Sequence, residues 1–185
     1  GAFRGCSNLK EVRFEEGTKK VAEYLFTNCP GLEKITIPEG IETIGNGAFA
    51  GCGNLTDIIM PGSVTTIGNS AFESTGKVKK IEIGRGTVTI ADNAFKNCNE
   101  LEEVSLPDTI ETIGVNAFQN DQKITGLKLP KNIKTMGYGA FGECTGLTEI
   151  EIPKTLEKVT TYHYGENNGA FRGCSNLKEV RFEEG

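Results

Sequence analysis

The chain repeats itself every 23 residues, and that period restricts it to architectures in which short, similar units stack on one another. Phe3, Phe26, Phe49, Phe72, Phe95, Phe118 and Phe141 keep the interval without a slip. Phe171 follows Phe141 by 30, so one unit carries a seven-residue insertion. Three residues after each phenylalanine stand Cys6, Cys29, Cys52, Thr75, Cys98, Asp121, Cys144 and Cys174. Three further on come Leu9, Leu32, Leu55, Val78, Leu101, Ile124, Leu147 and Leu177. An alternating pair follows, as in Ile35/Ile37, Ile81/Ile83 and Ile150/Ile152, and five units then place a proline: Pro38, Pro61, Pro107, Pro130 and Pro153. A second aliphatic pair closes the unit (Ile41/Ile44, Val64/Ile67, Ile110/Ile113), usually before a glycine such as Gly45, Gly68, Gly114 or Gly137.

Each position has a local cause. The x-I-x-I run has the two-residue period of a strand with one buried face. Proline lacks the N–H that a sheet ladder needs, so it ends that strand. The second pair reads as a short extended segment on the opposite wall, and glycine admits the turn after it. The segment from there to the cysteine reads as one short helical turn, with Asp92 or Asn69 placed to cap it. A single unit buries too little apolar surface to offset the ordering of 23 residues. It folds only against neighbours that share its interior and its strand hydrogen bonds.

The frame L-x-x-I-x-I-P-x-x-I-x-x-I-G-x-x-A-F-x-x-C, held in one phase along essentially the whole chain, resembles the BspA-like (Treponema pallidum type) leucine-rich repeats. The resemblance implies a right-handed, β-rich solenoid with a parallel sheet on one face and short strands and helical turns elsewhere. It further implies a cell-surface or extracellular protein with a role in adhesion or protein interaction. Departures from the frame are Thr75 and Asp121 for cysteine, Glu15, Gly84 and Glu183 for proline, and Leu25 for alanine. The expected organisation is a single solenoid over residues 1–185 with an insertion near 160–168.

Composition excludes other classes. The net charge is −5, with 20 basic residues scattered among 25 acidic ones, which disfavours nucleic acid as a partner. No apolar run approaches the length of a membrane span, so no membrane insertion is expected. The cysteines follow the repeat rather than any zinc spacing, so a metal is not expected and the thiols are read as free and buried. Gly45-Asn46-Gly47 and Gly84-Arg85-Gly86 fit no phosphate-loop pattern, and no acid–base or nucleophile constellation stands out. The expectation is a non-enzymatic chain without a cofactor.

Two surfaces are candidates for binding a protein or glycan. One is the outward column Arg13, Thr36, Ile59, Glu82, Ser105, Lys128 and Glu151. Beside it runs Glu11, Lys34, Asp57, Lys80 and Glu103, whose alternating charge is an ordinary cross-strand stabiliser. The other candidate is the insertion, which holds Tyr162, His163 and Tyr164. It reads either as a recognition loop or as a tolerated bulge. The alternative role is a spacer or self-assembling module that binds no specific ligand. Residues 1–17 and 169–185 are identical, GAFRGCSNLKEVRFEEG, which fits either a larger 168-residue period or engineered matching ends. Neither end carries an obvious polar cap, so end-to-end self-association is expected.

Overall fold

A computed structural model describes residues 1–160 and 169–184 as a parallel β-solenoid. Numbered in chain order, the strands form two walls. The main wall holds β1 (Glu11–Arg13), β3 (Lys34–Thr36), β5 (Asp57–Ile59), β7 (Lys80–Glu82), β9 (Glu103–Ser105), β12 (Glu149–Ile152) and β14 (Glu179–Phe182). The second wall holds two-residue strands: β2 (Lys20–Val21), β4 (Thr43–Ile44), β6 (Thr66–Ile67), β8 (Thr89–Ile90), β10 (Thr112–Ile113), β11 (Thr135–Met136) and β13 (Lys158–Val159). All pairings are parallel, and register follows the period: Ile44 faces Ile67, and Ile67 faces Ile90.

The walls differ in continuity. The second wall is one unbroken sheet in the order β13-β11-β10-β8-β6-β4-β2. The main wall is three separate pieces, β1-β3, β5-β7-β9 and β12-β14. Between β9 and β12 one unit contributes no strand to the main wall, and residues 125–129 make no backbone hydrogen bonds among the described residues.

Between the walls the phenylalanines line up along one axis. Successive rings from Phe3 to Phe171 stack with centroids 5.0–5.5 Å apart and planes within 15°. Phe49, Phe72, Phe95, Phe118 and Phe141 are fully buried. Stacked pairs contribute about 0.5–1.5 kcal/mol each beyond the burial itself. The buried side chains form one cluster running from Val12 to Cys174.

The segment before each cysteine is not a helical turn. Among the described residues there is no helix, because two positions in each of six units, and one in the first and last, hold left-handed backbone. Two residues before the phenylalanine, Tyr24, Gly47, Ser70, Asn93, Asn116 and Gly139 have φ between +54° and +61°. Two residues after it, Gly5, Asn28, Gly51, Ser74, Asn97, Asn120, Glu143 and Gly173 have φ between +55° and +75°. Glycine and asparagine tolerate this region best, which accounts for the residues chosen. The expected caps work between units instead. Asn46 Oδ1 accepts from the Asn69 N–H, Asn69 Oδ1 from the Asp92 N–H, and Asp92 Oδ1 from the Val115 N–H, at 2.8, 3.1 and 2.7 Å.

The cysteines are free thiols, five buried and Cys6 half-buried. They too bind across units. Cys29, Cys52, Cys144 and Cys174 donate at 3.1 Å to the carbonyls of Phe3, Phe26, Phe118 and Phe141. Thr75 bonds instead within its own unit, donating to the Phe72 carbonyl at 3.0 Å. Asp121 does something different: its Oδ1 accepts from the Cys98 N–H at 2.7 Å, and Oδ2 is buried without a partner. Burial pushes its pKa well above the usual carboxylate range. The unit that holds Asp121 is also the one that lacks a main-wall strand.

Candidate interaction surface

Side chains alternate along a strand, so the main wall presents every second residue to solvent. In this way the structure assembles most of the expected column, in three registered groups. Arg13 lies beside Thr36; Ile59, Glu82 and Ser105 lie side by side; and Glu151 faces Arg181. Lys128 stands in the unpaired stretch between the second and third groups. Tyr162, His163 and Tyr164 lie outside the described residues.

Members of the column differ in what occupies them. Arg13 is bidentate to Glu11 at 3.0 and 3.1 Å on its own strand, and this hydrogen bond holds the Glu11 carboxyl below its ordinary pKa. Lys80 Nζ sits 2.7 Å from Glu82 and 3.9 Å from Glu103, so Glu82 is already engaged. The alternating column beside it is therefore in register, but its ammonium at Lys80 sits closer to its own strand than to the next. Close ion pairs between units occur elsewhere, at Lys10–Glu33, Lys123–Glu100 and Lys134–Glu111. Ile59 is 63% exposed, an apolar side chain between polar neighbours. Lys128 and Glu151 are exposed and make no ion pair among the described residues.

What sequence reasoning missed is the break in the wall. Around residues 125–129 the backbone donors and acceptors have no backbone partner among the described residues, and a groove runs along each side. One, of about 460 Å³, is floored by Leu127, Leu129 and Ile150 and rimmed by Lys128, Glu151 and Arg181. The other, of about 530 Å³, is bounded by Val104, Ser105, Leu106, Gly126 and Lys128. The available signal was Gly126, which occupies a strand position where a side chain elsewhere packs against its neighbours. Three members of the expected column, Ser105, Lys128 and Glu151, thus flank the grooves, with Glu82 at the margin. Arg13 and Thr36 line a separate shallow depression.

Among the described residues no helix is long and apolar enough to cross a membrane, and no group of three or more His, Cys, Asp or Glu side chains is placed to hold a metal ion. The surface offers unpaired backbone, short apolar floors and two uncommitted opposite charges within one patch.

Comparison with known proteins places these features among related chains. The family described as the BspA type leucine rich repeat region matches residues 1–102 in six copies. A leucine-rich repeat protein from Bacteroides ovatus is 30% identical with a TM-score of 0.73, the match covering 96% of this chain and 56% of that protein. The chain thus spans little more than half of that relative. The leucine-rich repeat protein of T. pallidum is 28% identical with a TM-score of 0.69, covering 89% of this chain and 70% of that one. A leucine rich cell surface protein from Faecalibacterium prausnitzii shares the fold at 20% identity, with a TM-score of 0.66 and coverage of 100% and 62%. No curated protein matches the chain.

Proposed function

The chain belongs to the BspA-type leucine-rich repeat family, and from that premise we propose that it is a non-catalytic interaction module acting as one solenoid over residues 1–185. Its ligand is a protein, held on the outward face of the main wall. The observation that carries this reading is the interrupted wall at residues 125–129. An unpaired backbone segment there lies between two grooves, beside the uncommitted Lys128 and Glu151. Exposed strand edges accept extended polypeptide by main-chain pairing, and neighbouring side chains then select among candidates. Ile59 extends the patch with an apolar contact. Placement at the cell surface, and hence adhesion, is supported by the description of the F. prausnitzii protein as a cell surface protein.

The test is a binding screen of the 185-residue chain against immobilised extracellular-matrix proteins and a glycan array. Lys128→Glu, Glu151→Lys and Ile59→Asp are run in parallel with a deletion of residues 161–168. For a protein ligand on the wall, Lys128→Glu or Glu151→Lys weakens binding about tenfold or more, as hot-spot losses do, while the deletion leaves it intact. Binding that survives the wall variants and is lost with the deletion moves recognition to Tyr162, His163 and Tyr164. Glycan binding alone refutes the choice of ligand. A spacer role has its own support in charges already neutralised between units, such as Lys19–Glu42 and Lys134–Glu111. Silence across the whole screen would favour it.

A further inference from the structure

The repeat satisfies its phenylalanine carbonyls in a regular way, and one of them is left out. Cys6, Cys52, Cys144 and Cys174 each donate an N–H to the phenylalanine carbonyl of their own unit, at 3.1–3.4 Å. A second donor comes from the side chain 26 residues after the phenylalanine: Cys52 Sγ bonds to the Phe26 carbonyl and Cys144 Sγ to that of Phe118, both at 3.1 Å. At Phe95 both donors are missing. Asp121 Oδ1 takes the Cys98 N–H at 2.7 Å, and Asp121 itself stands where the next thiol would. Phe95 is fully buried, and among the described residues no donor reaches its carbonyl.

The carboxyl holds the matching orphan. Asp121 is fully buried, and its Oδ2 has no hydrogen-bond partner. Its neighbours in the column are Cys98 and Cys144, thiols that burial keeps neutral. The charged groups close to it in sequence are committed elsewhere, Lys123 to Glu100 at 2.6 Å and Glu143 to Arg172 at 3.1 Å. No ion pair reaches Asp121 among the described residues, and desolvation pushes its pKa well up. An ionised Asp121 would leave two buried oxygens, both acceptors, without a donor. One proton on Oδ2 supplies what both lack.

We propose that Asp121 is held as a neutral acid whose Oδ2–H donates to the Phe95 carbonyl, and that this proton locks the unit carrying the interrupted wall. As pH rises the proton leaves to solvent, and a buried charge remains that only water can satisfy. Water enters where the unit is weakest. The Asp121 carbonyl accepts from the Ile124 N–H at 3.3 Å, and the residues that follow, 125–129, have no backbone partner among the described residues. Elsewhere the next strand pins this turn, as where the Lys79 carbonyl accepts from the Glu102 and Glu103 N–H groups. The lock is therefore closed in acid and released as pH rises. Its consequence for recognition rests on the function proposed above: release loosens the patch around Lys128 and Glu151.

Hydrogen exchange at the Ile124 amide, divided by the intrinsic rate at each pH, tests the lock. No ligand is needed, so its failure is separate from that of the recognition reading. In the parent, Ile124 protection falls about tenfold or more as pH passes the Asp121 titration, while Ile113 and Met136 keep theirs. The carboxyl NMR signal of Asp121 titrates at higher pH than those of the surface glutamates. Asp121→Asn keeps the shape and puts in an amide that accepts from Cys98 and donates to Phe95 at every pH. Its Ile124 protection is flat with pH at the parent's acid level, and circular dichroism verifies its fold. Asp121→Cys, which carries the column's own donor, gives the same flat profile. An Asp121 signal that titrates with the surface glutamates overturns the proposal. So does a pH-dependent loss that persists in either variant or is shared equally by Ile113 and Met136.

Discussion

The two walls of the solenoid are built from the same units in the same phase, yet one is an unbroken seven-stranded sheet and the other is in three pieces. The second wall uses only two residues per strand, so its continuity does not come from strand length. It comes from what brackets those residues. On one side the N–H groups of Gly45, Gly68, Ala91, Gly114 and Gly137 donate to the preceding unit, as Gly68 does to the Ile44 carbonyl at 2.9 Å. Just beyond, Asn46, Asn69 and Asp92 each seize an amide of the following unit. The main wall is bracketed by fewer such bonds, as where Glu39 accepts from the Gly62 N–H and Asp108 from the Lys131 N–H, and a unit with a weak strand sequence drops out. The lesson is that alignment in a solenoid is enforced at the turns, and the long strands follow where their sequence permits. Nothing in the structure explains the separate break between β3 and β5.

If the turns enforce alignment, crowding a turn should hurt more than repairing a strand helps. Gly68→Ala would put a Cβ 2.8 Å from the Asn46 amide nitrogen and 2.9 Å from the Gly45 carbonyl carbon, so two units must separate. The expected cost is about 1–3 kcal/mol, read from denaturant unfolding. A neutral Gly68→Ala would break the argument.

Asp121 sharpens the comparison from the interior of the weak unit. Asp121→Cys restores the residue type of the column and removes a buried oxygen without a partner, an expected gain on the order of 1 kcal/mol at neutral pH. The sign of the pH dependence follows from burial. The folded-state pKa of Asp121 is raised, so its contribution is fully present below the ordinary carboxylate range and is lost as pH rises through the raised value. The stability gap between variant and parent therefore widens from acid toward neutral pH. Surface carboxylates such as Glu33 and Glu100, held below their ordinary pKa by Lys10 and Lys123, act in the opposite direction but cancel in the difference. A gap that is constant with pH would show that Asp121 is ionised in place.

The smallest effect is expected at Gly126, where an added Cβ meets nothing within 4 Å. Gly126→Ala should stabilise by about 0.4–1 kcal/mol, chiefly by restricting the unfolded chain. Hydrogen exchange locates the same contrast in the parent: amides of residues 125–129 exchange rapidly, and those of Ile113 and Met136 slowly.

Much of this was legible in the sequence because the period is also the register. Once Phe49 and Phe72 are 23 apart, their stacking and the pairing of Ile44 with Ile67 follow together. The turn was harder to read. Asn69 and Asp92 before a glycine-rich stretch give the same signal whether they cap a helix or an amide in the adjoining unit, because the chemistry of the acceptor is the same. Only the left-handed residues beside each phenylalanine separate the two, and Tyr24 and Glu143 disguise that pattern. The expected binding column was legible as an alternation. Its division into three groups was not, since one glycine among alternating residues is a weak sign of a missing strand. Tyr162, His163 and Tyr164 fall outside the described residues, and the insertion keeps both of its readings.

The column of thiols has a practical consequence. Burial pushes Cys52 up to about 12 and raises Cys98, Cys144 and Cys174 as well, so the thiolate that alkylating reagents attack is scarce while the stack is closed. Each sulfur stands at a known height in the solenoid. The order in which they become labelled under gentle denaturation would report where unzipping starts and which way it travels, using probes the chain already carries.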